Sequence, residues 1–247
     1  MDRIKDLADQ AARGGYITHS NFLSPSERAQ AEIWLKKNKI SYACTGGLEG
    51  CERQVCFMLP DYKQGQPLEF YEIEDVISAL RIDTANTEDS PGHRDYLGSL
   101  TGLGLRRDQL GDILVEGSGA TIICLSRVVS FIENTLAKVG NKNISMSRVS
   151  LSEISRPENE FELLRVTAAS PRLDKIAAGA FGISRTQMAE YIRSGAVMVD
   201  WLEETKPDRE VSTGMTISLR GNGRVKIREY EGLSRKNRHI FIIERPV

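Results

Sequence analysis

Three cations stand out by type and spacing: Arg172, Lys175 three residues on, and Arg185. Arg172 and Arg185 carry planar guanidinium forks that match a phosphate or carboxylate edge, and Lys175 carries a compact ammonium. Ser184 and Gln187 have capping-box spacing, which makes Ser184 the cap of a helix that begins with Arg185, Thr186 and Gln187. A helix start collects unpaired N–H donors and the positive end of the macrodipole, so it favours an anion. Arg172, Lys175, Ser184, Arg185, Thr186 and Gln187 therefore outline a phosphate-sized pocket. A capped, solvated helical hairpin with ordinary surface charges fits the same pattern.

The elements that must hold these side chains are legible around them. Leu173, Ile176, Ala177, Ala180 and Phe181 recur at helical spacing, and Gly182 breaks the run. Met188 and Ile192 give the second helix its apolar stripe, Gly195 ends it, and Ala196–Val199 follows as a strand. Further on, 216–220 and 224–229 read as strands around the Gly221-Asn222-Gly223 hairpin signal. Val225 and Ile227 alternate there with Arg224, Lys226 and Arg228, so one face of the strand is apolar and the other basic. Such a face suits RNA, and equally a solvated edge that blocks aggregation. Residues 240–243 read as a buried closing strand.

Arg172-Leu173-Asp174-Lys175, Ser184-Arg185, Ile192, the strand from Gly195 to Val199, Lys206, the Gly214 turn and Arg220-Gly221 with Gly223-Arg224 resemble the S4 RNA-binding domain. Asp200 and Met215 stand where that pattern commonly has Asn and Asp. The resemblance covers roughly the last third of the chain. It implies RNA contacts by Arg172, Lys175, Ser184, Arg185, Thr186 and Gln187, extended by Arg193, Lys206, Arg220 and Arg224. Arg172-Leu173-Asp174 also imitates the start of the catalytic motif of pseudouridine synthases. The continuation lacks the Thr expected three residues after the Asp, so Asp174 reads as a helix-start carboxylate that orients neighbouring arginines or satisfies N–H groups there.

The chain has 247 residues, 40% hydrophobic and 27% charged, the balance of a water-soluble globular protein. Its net charge of −1 hides an asymmetry. From Val166 to Val247 there are 14 basic and 10 acidic residues, against 19 and 24 in the remainder. The surface suited to a polyanion is thus expected at the C-terminal end. No apolar run reaches membrane-spanning length and the start is charged and helical, which predicts a cytoplasmic protein with no membrane association. Cys44, Cys51 and Cys56 lack zinc-ligand spacing and Cys124 lies in an apolar run, so reduced or buried thiols are expected, with no metal and no cofactor.

Earlier in the chain, 1–14 reads as a helix, and Ser24, Pro25 and Glu27 signal a second one. Strands are expected at 41–45, 54–59 and 68–73. From residue 75 the pattern is strand 76–83, helix 91–105, strands 111–116 and 120–125, helix 126–139 and strand 144–151. This βαββαβ order is ferredoxin-like or RRM-like, without the aromatic RNA-stacking signature of the RRM class. The fold class expected is α+β in three small domains: an N-terminal α/β unit (1–74), a ferredoxin/RRM-like middle domain (75–160) and an S4 domain (165–247). Arg94, Arg106 and Arg107 mark a second basic patch. Gly102-x-Gly104 follows a helix rather than a strand and has Arg107 where a third glycine belongs, so it is no dinucleotide loop. His19, His93 and His239 are scattered and no catalytic constellation emerges, so a binding protein is expected rather than an enzyme.

The segments from Gly92 to Leu100, Gly102 to Arg107 and Gly111 to Ile113, followed by the S4-like region, resemble the YlmH family of bacterial S4 proteins. That resemblance implies a monomer binding structured rRNA and tRNA on the large ribosomal subunit, with a protein partner there, in ribosome-associated quality control by alanine tailing. An adaptor for cell division acting through protein contacts is the alternative.

Overall fold

Ser24, Pro25 and Glu27 start a helix as their spacing predicts. In the computed structural model, which describes residues 1–84, 90–155 and 161–246, Ser24 Oγ accepts the Glu27 N–H at 3.3 Å and the Glu27 carboxylate accepts the Ser24 N–H at 2.7 Å. A cap of this kind contributes about 1 kcal/mol. This helix, α2 (Pro25–Lys37), and α1 (Asp2–Gly14) accompany an antiparallel sheet of β1 (Thr18–Leu23), β2 (Tyr42–Thr45) and β3 (Gln54–Met58) in the order β1-β3-β2.

β1 has no counterpart among the expected strands, and Thr18, Ser20 and Asn21 give it a polar sequence. All three are buried and satisfied. Thr18 donates to the Leu7 carbonyl at 2.7 Å, Ser20 Oγ accepts the Cys56 N–H at 3.0 Å, and Asn21 donates to Asp108 at 2.7 Å. Partnered burial removes the penalty that would otherwise keep them out. The opposite correction falls on 68–73, where a strand was expected and a short helix, α3 (Phe70–Glu74), forms. The Glu72 carboxylate accepts the Glu69 N–H at 2.8 Å, a local capping contact that outweighs the apolar run.

The expectation for the cysteines is also corrected. Cys44 and Cys56 face each other across β2 and β3 and are joined as a disulfide, with Cα atoms 4.2 Å apart. Strand register, invisible in the linear spacing, brings them together. Cys51 and Cys124 are free and buried, and burial pushes the Cys124 thiol up to about 12.

The next sheet contains β4 (Ile77–Thr84), β5 (Leu110–Glu116), β6 (Gly119–Leu125), β7 (Lys138–Val139) and β8 (Lys142–Val149), in the order β5-β6-β4-β8-β7 with antiparallel neighbours. Two helices cross between its strands, α4 (His93–Gly102) and α5 (Val129–Thr135). Apart from the two-residue β7, this is the strand order of a split βαβ unit. The helix expected to run to 139 stops at Thr135, because β7 takes up pairing with β8. Tyr96, Leu100 and Ile132 pack with Leu80, Ile82, Ile122 and Cys124 in one core.

Residues Ile77, Ala79, Ile123 and Leu125 of the same sheet belong to another core, shared with Phe22, Val55 and Phe57 of the first sheet. β6 is consequently buried along its whole length. The expected boundary at 74–75 therefore runs through a common core, although the other face of the first sheet closes a separate core with Ile4, Ala8, Ala31 and Leu35 of α1 and α2. The chain divides into two compact units, Met1–Pro157 and Glu158–Val247. The expected boundary at 160 lies outside the described residues.

The second unit has a sheet of β9 (Phe161–Ala168), β10 (Val197–Val199), β11 (Leu202–Glu203), β12 (Thr216–Leu219), β13 (Gly223–Leu233) and β14 (His239–Pro246), ordered β11-β10-β12-β13-β14-β9. The strand expected at 240–243 forms within β14 with Ile240, Phe241 and Ile243 buried, and it lies between β13 and β9. Helices α6 (Leu173–Phe181) and α7 (Arg185–Arg193) supply Leu173, Ile176, Ala177, Met188 and Ile192 to a core with Val197, Val199, Ile217, Val225, Ile227 and Ile243. Each large apolar side chain buried here is worth about 1.5–3 kcal/mol. Gly182, at φ 67°, ends α6 in the left-handed conformation that glycine adopts without strain. Asp200 and Trp201 both have positive φ in the two-residue turn between β10 and β11, and Asp200 Oδ1 secures the turn by accepting the Thr216 N–H at 2.8 Å.

Candidate nucleic-acid interface

The apolar side of α6 draws the first turn of that helix into the core, and Asp174 goes with it to 2% exposure. Its carboxylate is surrounded by donors. Arg172 donates through Nε to Oδ1 at 3.0 Å and through Nη2 to Oδ2 at 3.3 Å, and Arg185 donates through Nε to Oδ2 at 2.9 Å. Burial pushes the Asp174 carboxyl up, but hydrogen bonds and charge from Arg172 and Arg185 more than reverse this and hold it below the usual aspartate range. The bond to Asp174 in turn raises the Arg172 guanidinium.

One carboxylate thus binds two guanidiniums, leaving a net positive charge at the rim. The Arg172 and Arg185 side chains are 34% and 56% exposed, while Asp174 is 3% exposed. The cations are fixed from beneath and open above, an arrangement that lowers the side-chain entropy lost when a phosphate arrives. Asp174 acts here as the sequence pattern suggests, orienting arginines.

The remaining predicted contacts divide. Lys175 is half-buried and donates to Ser170 Oγ at 2.7 Å, a different partner from that of the arginines. Ser184 caps α7 by accepting the Gln187 N–H at 3.3 Å, but only half the expected capping box forms, because the Gln187 side chain donates to Tyr191 Oη at 3.2 Å. Thr186 and Gln187 are exposed on the first turn of α7, and Arg193 is exposed on its last. Lys206 and Arg220 are exposed on loops, and Arg224 is half-buried on β13.

Sequence reasoning missed the loop that covers the start of α6. The Leu173 N–H donates to the Arg209 carbonyl at 2.8 Å and the Asp174 N–H to the Pro207 carbonyl at 2.9 Å. The α6 terminus is therefore closed by protein, and its anion-binding capacity rests on side chains. Glu204 shapes that loop, accepting the Lys206 N–H at 2.9 Å and the Arg209 guanidinium at 2.6 Å. Glu204 and Arg209 at i, i+5 carry no helical signal, so nothing local in the sequence marks the pair.

In the first unit, the three arginines expected as a second patch have different surroundings. Arg94 is exposed on the first turn of α4. Arg106 is exposed and paired with Asp108 at 3.1 Å. Arg107 turns inward and donates to the Leu110 and Gly111 carbonyls at 3.1 and 3.0 Å, and burial lowers its pKa, with the charge of Arg53 adding to the effect. Arg107 is a bracing residue, not a surface contact. Arg53 does similar work by donating to the carbonyls of Leu110 and Phe22, each at 3.1 Å. Arg127, absent from the predicted patch, is exposed and donates to Asn21 at 2.7 Å. Among the described residues no group of three or more His, Cys, Asp or Glu side chains is arranged to hold a metal ion.

Comparison with known proteins adds to this geometry. Residues 76–153 match the family model described as "Putative RNA-binding domain in YlmH". The chain is 27% identical over 226 residues to the ribosome-associated protein quality control protein P2 of Bacillus subtilis (strain 168), covering 92% of this chain and 86% of that protein. It also shares a fold with a solved structure titled cell division protein ylmH from Streptococcus pneumoniae, with a TM-score of 0.51, 22% identity, and coverage of 62% of this chain and 90% of that one. The resemblance to the YlmH family expected from the sequence is borne out. The matched stretch lies in the first unit, whereas the paired arginines lie in the second. No helix among the described residues is long and apolar enough to cross a membrane.

Proposed function

We propose that the protein is a cytoplasmic, monomeric, non-catalytic RNA-binding factor of ribosome-associated quality control. On this reading its second unit is an S4 domain that holds structured rRNA or tRNA on the large ribosomal subunit. There it supports alanine tailing of stalled nascent chains. The observation that carries the reading is the pair of guanidiniums, half-buried Arg172 and exposed Arg185, locked on the buried carboxylate of Asp174. Lys175, Ser184, Thr186, Gln187, Arg193, Lys206, Arg220 and Arg224 extend the contact around this pair. The relative named for ribosome-associated quality control, similar over most of both chains, supports the setting.

Magnitude argues for more than one contact region. A few phosphate contacts give only about 10⁻⁴–10⁻⁶ M affinity at physiological salt. The stretch matching the YlmH model, with Arg94, Arg106 and Arg127 exposed, supplies the second surface toward RNA or a protein partner. Recognition is by shape and phosphate, with little reading of base edges. The alternative of a division adaptor has only a likeness of fold behind it.

Cryo-electron microscopy of ribosomes co-purified with the tagged protein tests this directly. Density that sets Arg172 and Arg185 against an RNA backbone of the large subunit is the expected result. A bound position with both side chains facing solvent overturns the assignment.

A further inference from the structure

The hairpin of β13 and β14 runs past the apolar part of the sheet and ends in the loop Ser234-Arg235-Lys236-Asn237-Arg238. Three cations and no acid occupy those five positions. The loop is ordered by its own backbone, with the Ser234 N–H donating to the Arg238 carbonyl at 2.8 Å and the Asn237 N–H to the Ser234 carbonyl at 2.9 Å. Arg238 braces it further by donating to the Thr167 carbonyl of β9 at 2.8 Å. Arg235 and Lys236 are exposed and have no ion-pair partner among the described residues.

Four residues before this loop in β13, Tyr230 is 42% exposed. Its ring stacks on His239 with centroids 5.7 Å apart and tilts against Phe241 at 5.0 Å. Tyr230 Oη and His239 Nδ1 lie 2.9 Å apart, which fixes the orientation of the ring. Glu231, three residues before the loop, is taken up by Arg165 at 2.9 Å. A rigid, half-open aromatic ring followed within a few residues by unpaired cations is the combination that holds unpaired nucleotides. The ring accepts a base face, and the cations hold the flanking phosphates.

We propose that the β13–β14 hairpin is a second RNA-contacting element of this unit, distinct from the Arg172–Arg185 pair. It stacks an unpaired base on Tyr230 and holds its phosphates with Arg235 and Lys236. The proposal rests on the RNA-binding reading above and adds the class of nucleotide recognised. A single-stranded loop or bulge is bound here, while the arginine pair takes the folded backbone.

The test uses the full chain and two fluorescein-labelled RNAs, a stem with an eight-nucleotide loop and a blunt duplex of equal mass, followed by fluorescence anisotropy. Tyr230→Ala is expected to weaken stem-loop binding about tenfold and to leave duplex binding unchanged. Tyr230→Phe, which keeps the ring, retains wild-type binding. The double variant Arg235→Ala/Lys236→Ala makes the slope of log affinity against log salt shallower by about 1.4 for the stem-loop. Because both loop side chains are exposed, this variant remains informative even if Tyr230→Ala folds poorly. Wild-type binding of the stem-loop by Tyr230→Ala and by the double variant, with loss in Arg185→Ala, overturns the hairpin proposal alone. Failure of the wild-type chain to bind either RNA overturns the hairpin proposal together with the broader reading.

Discussion

Arg185 Nε lies 2.9 Å from Asp174 Oδ2, so the exposed cation that opens α7 is tied to a carboxylate buried at the start of α6. Replacing Asp174 by Asn leaves the shape and removes the charge that both arginines answer. Asp174→Asn is expected to destabilise the protein by about 1.5–3 kcal/mol, the range for hydrogen bonds to charged groups. Urea melts of wild type and variant measure the difference. Equal midpoints contradict the role assigned to Asp174.

Arg185→Ala has the opposite profile. The side chain is more than half exposed, and without it the buried Asp174 carboxylate keeps both hydrogen bonds from Arg172. Its thermal midpoint should stay close to wild type while RNA affinity falls. The loss of one phosphate contact also makes the salt dependence of binding shallower by about one unit of slope. A large drop in melting temperature would recast Arg185 as a structural residue.

The depressed titration of Asp174 sets a pH dependence. The group is more acidic folded than in the unfolded chain, where an aspartate titrates near about 3.9. Its contribution is therefore complete above that value and is lost as pH falls through the lower folded value. Wild type should lose stability more steeply than Asp174→Asn below pH about 4, as followed by circular dichroism. Parallel acid profiles contradict the linkage.

Arg107 provides a control in the first unit. Because it donates to two carbonyls next to β5, Arg107→Ala should lower stability by about 1–3 kcal/mol. Co-sedimentation with ribosomes should be unchanged under conditions where the variant is folded. Loss of binding by a folded Arg107→Ala protein would return this residue to the basic patch.

The local signals carried far. Ser24 with Glu27 announced α2 and Gly182 the end of α6, while the likeness to the S4 pattern made an orienting carboxylate one of two roles open to Asp174. What stayed hidden depends on contacts distant in sequence. Thr18, Ser20 and Asn21 become a buried strand only because Leu7, Cys56 and Asp108 supply their hydrogen bonds. Cys44 meets Cys56 through strand register. The Pro207 and Arg209 carbonyls reach α6 across more than thirty positions, and Arg107 gives no sign in its own neighbourhood that it turns inward.

Ribosome co-sedimentation with purified large subunits tests the central claim most directly, comparing wild type with the Arg172→Ala/Arg185→Ala double variant. The wild-type chain is expected to pellet with the subunits and the folded double variant to remain in the supernatant. Pelleting of the double variant to the wild-type extent would show that the paired arginines are not the RNA contact.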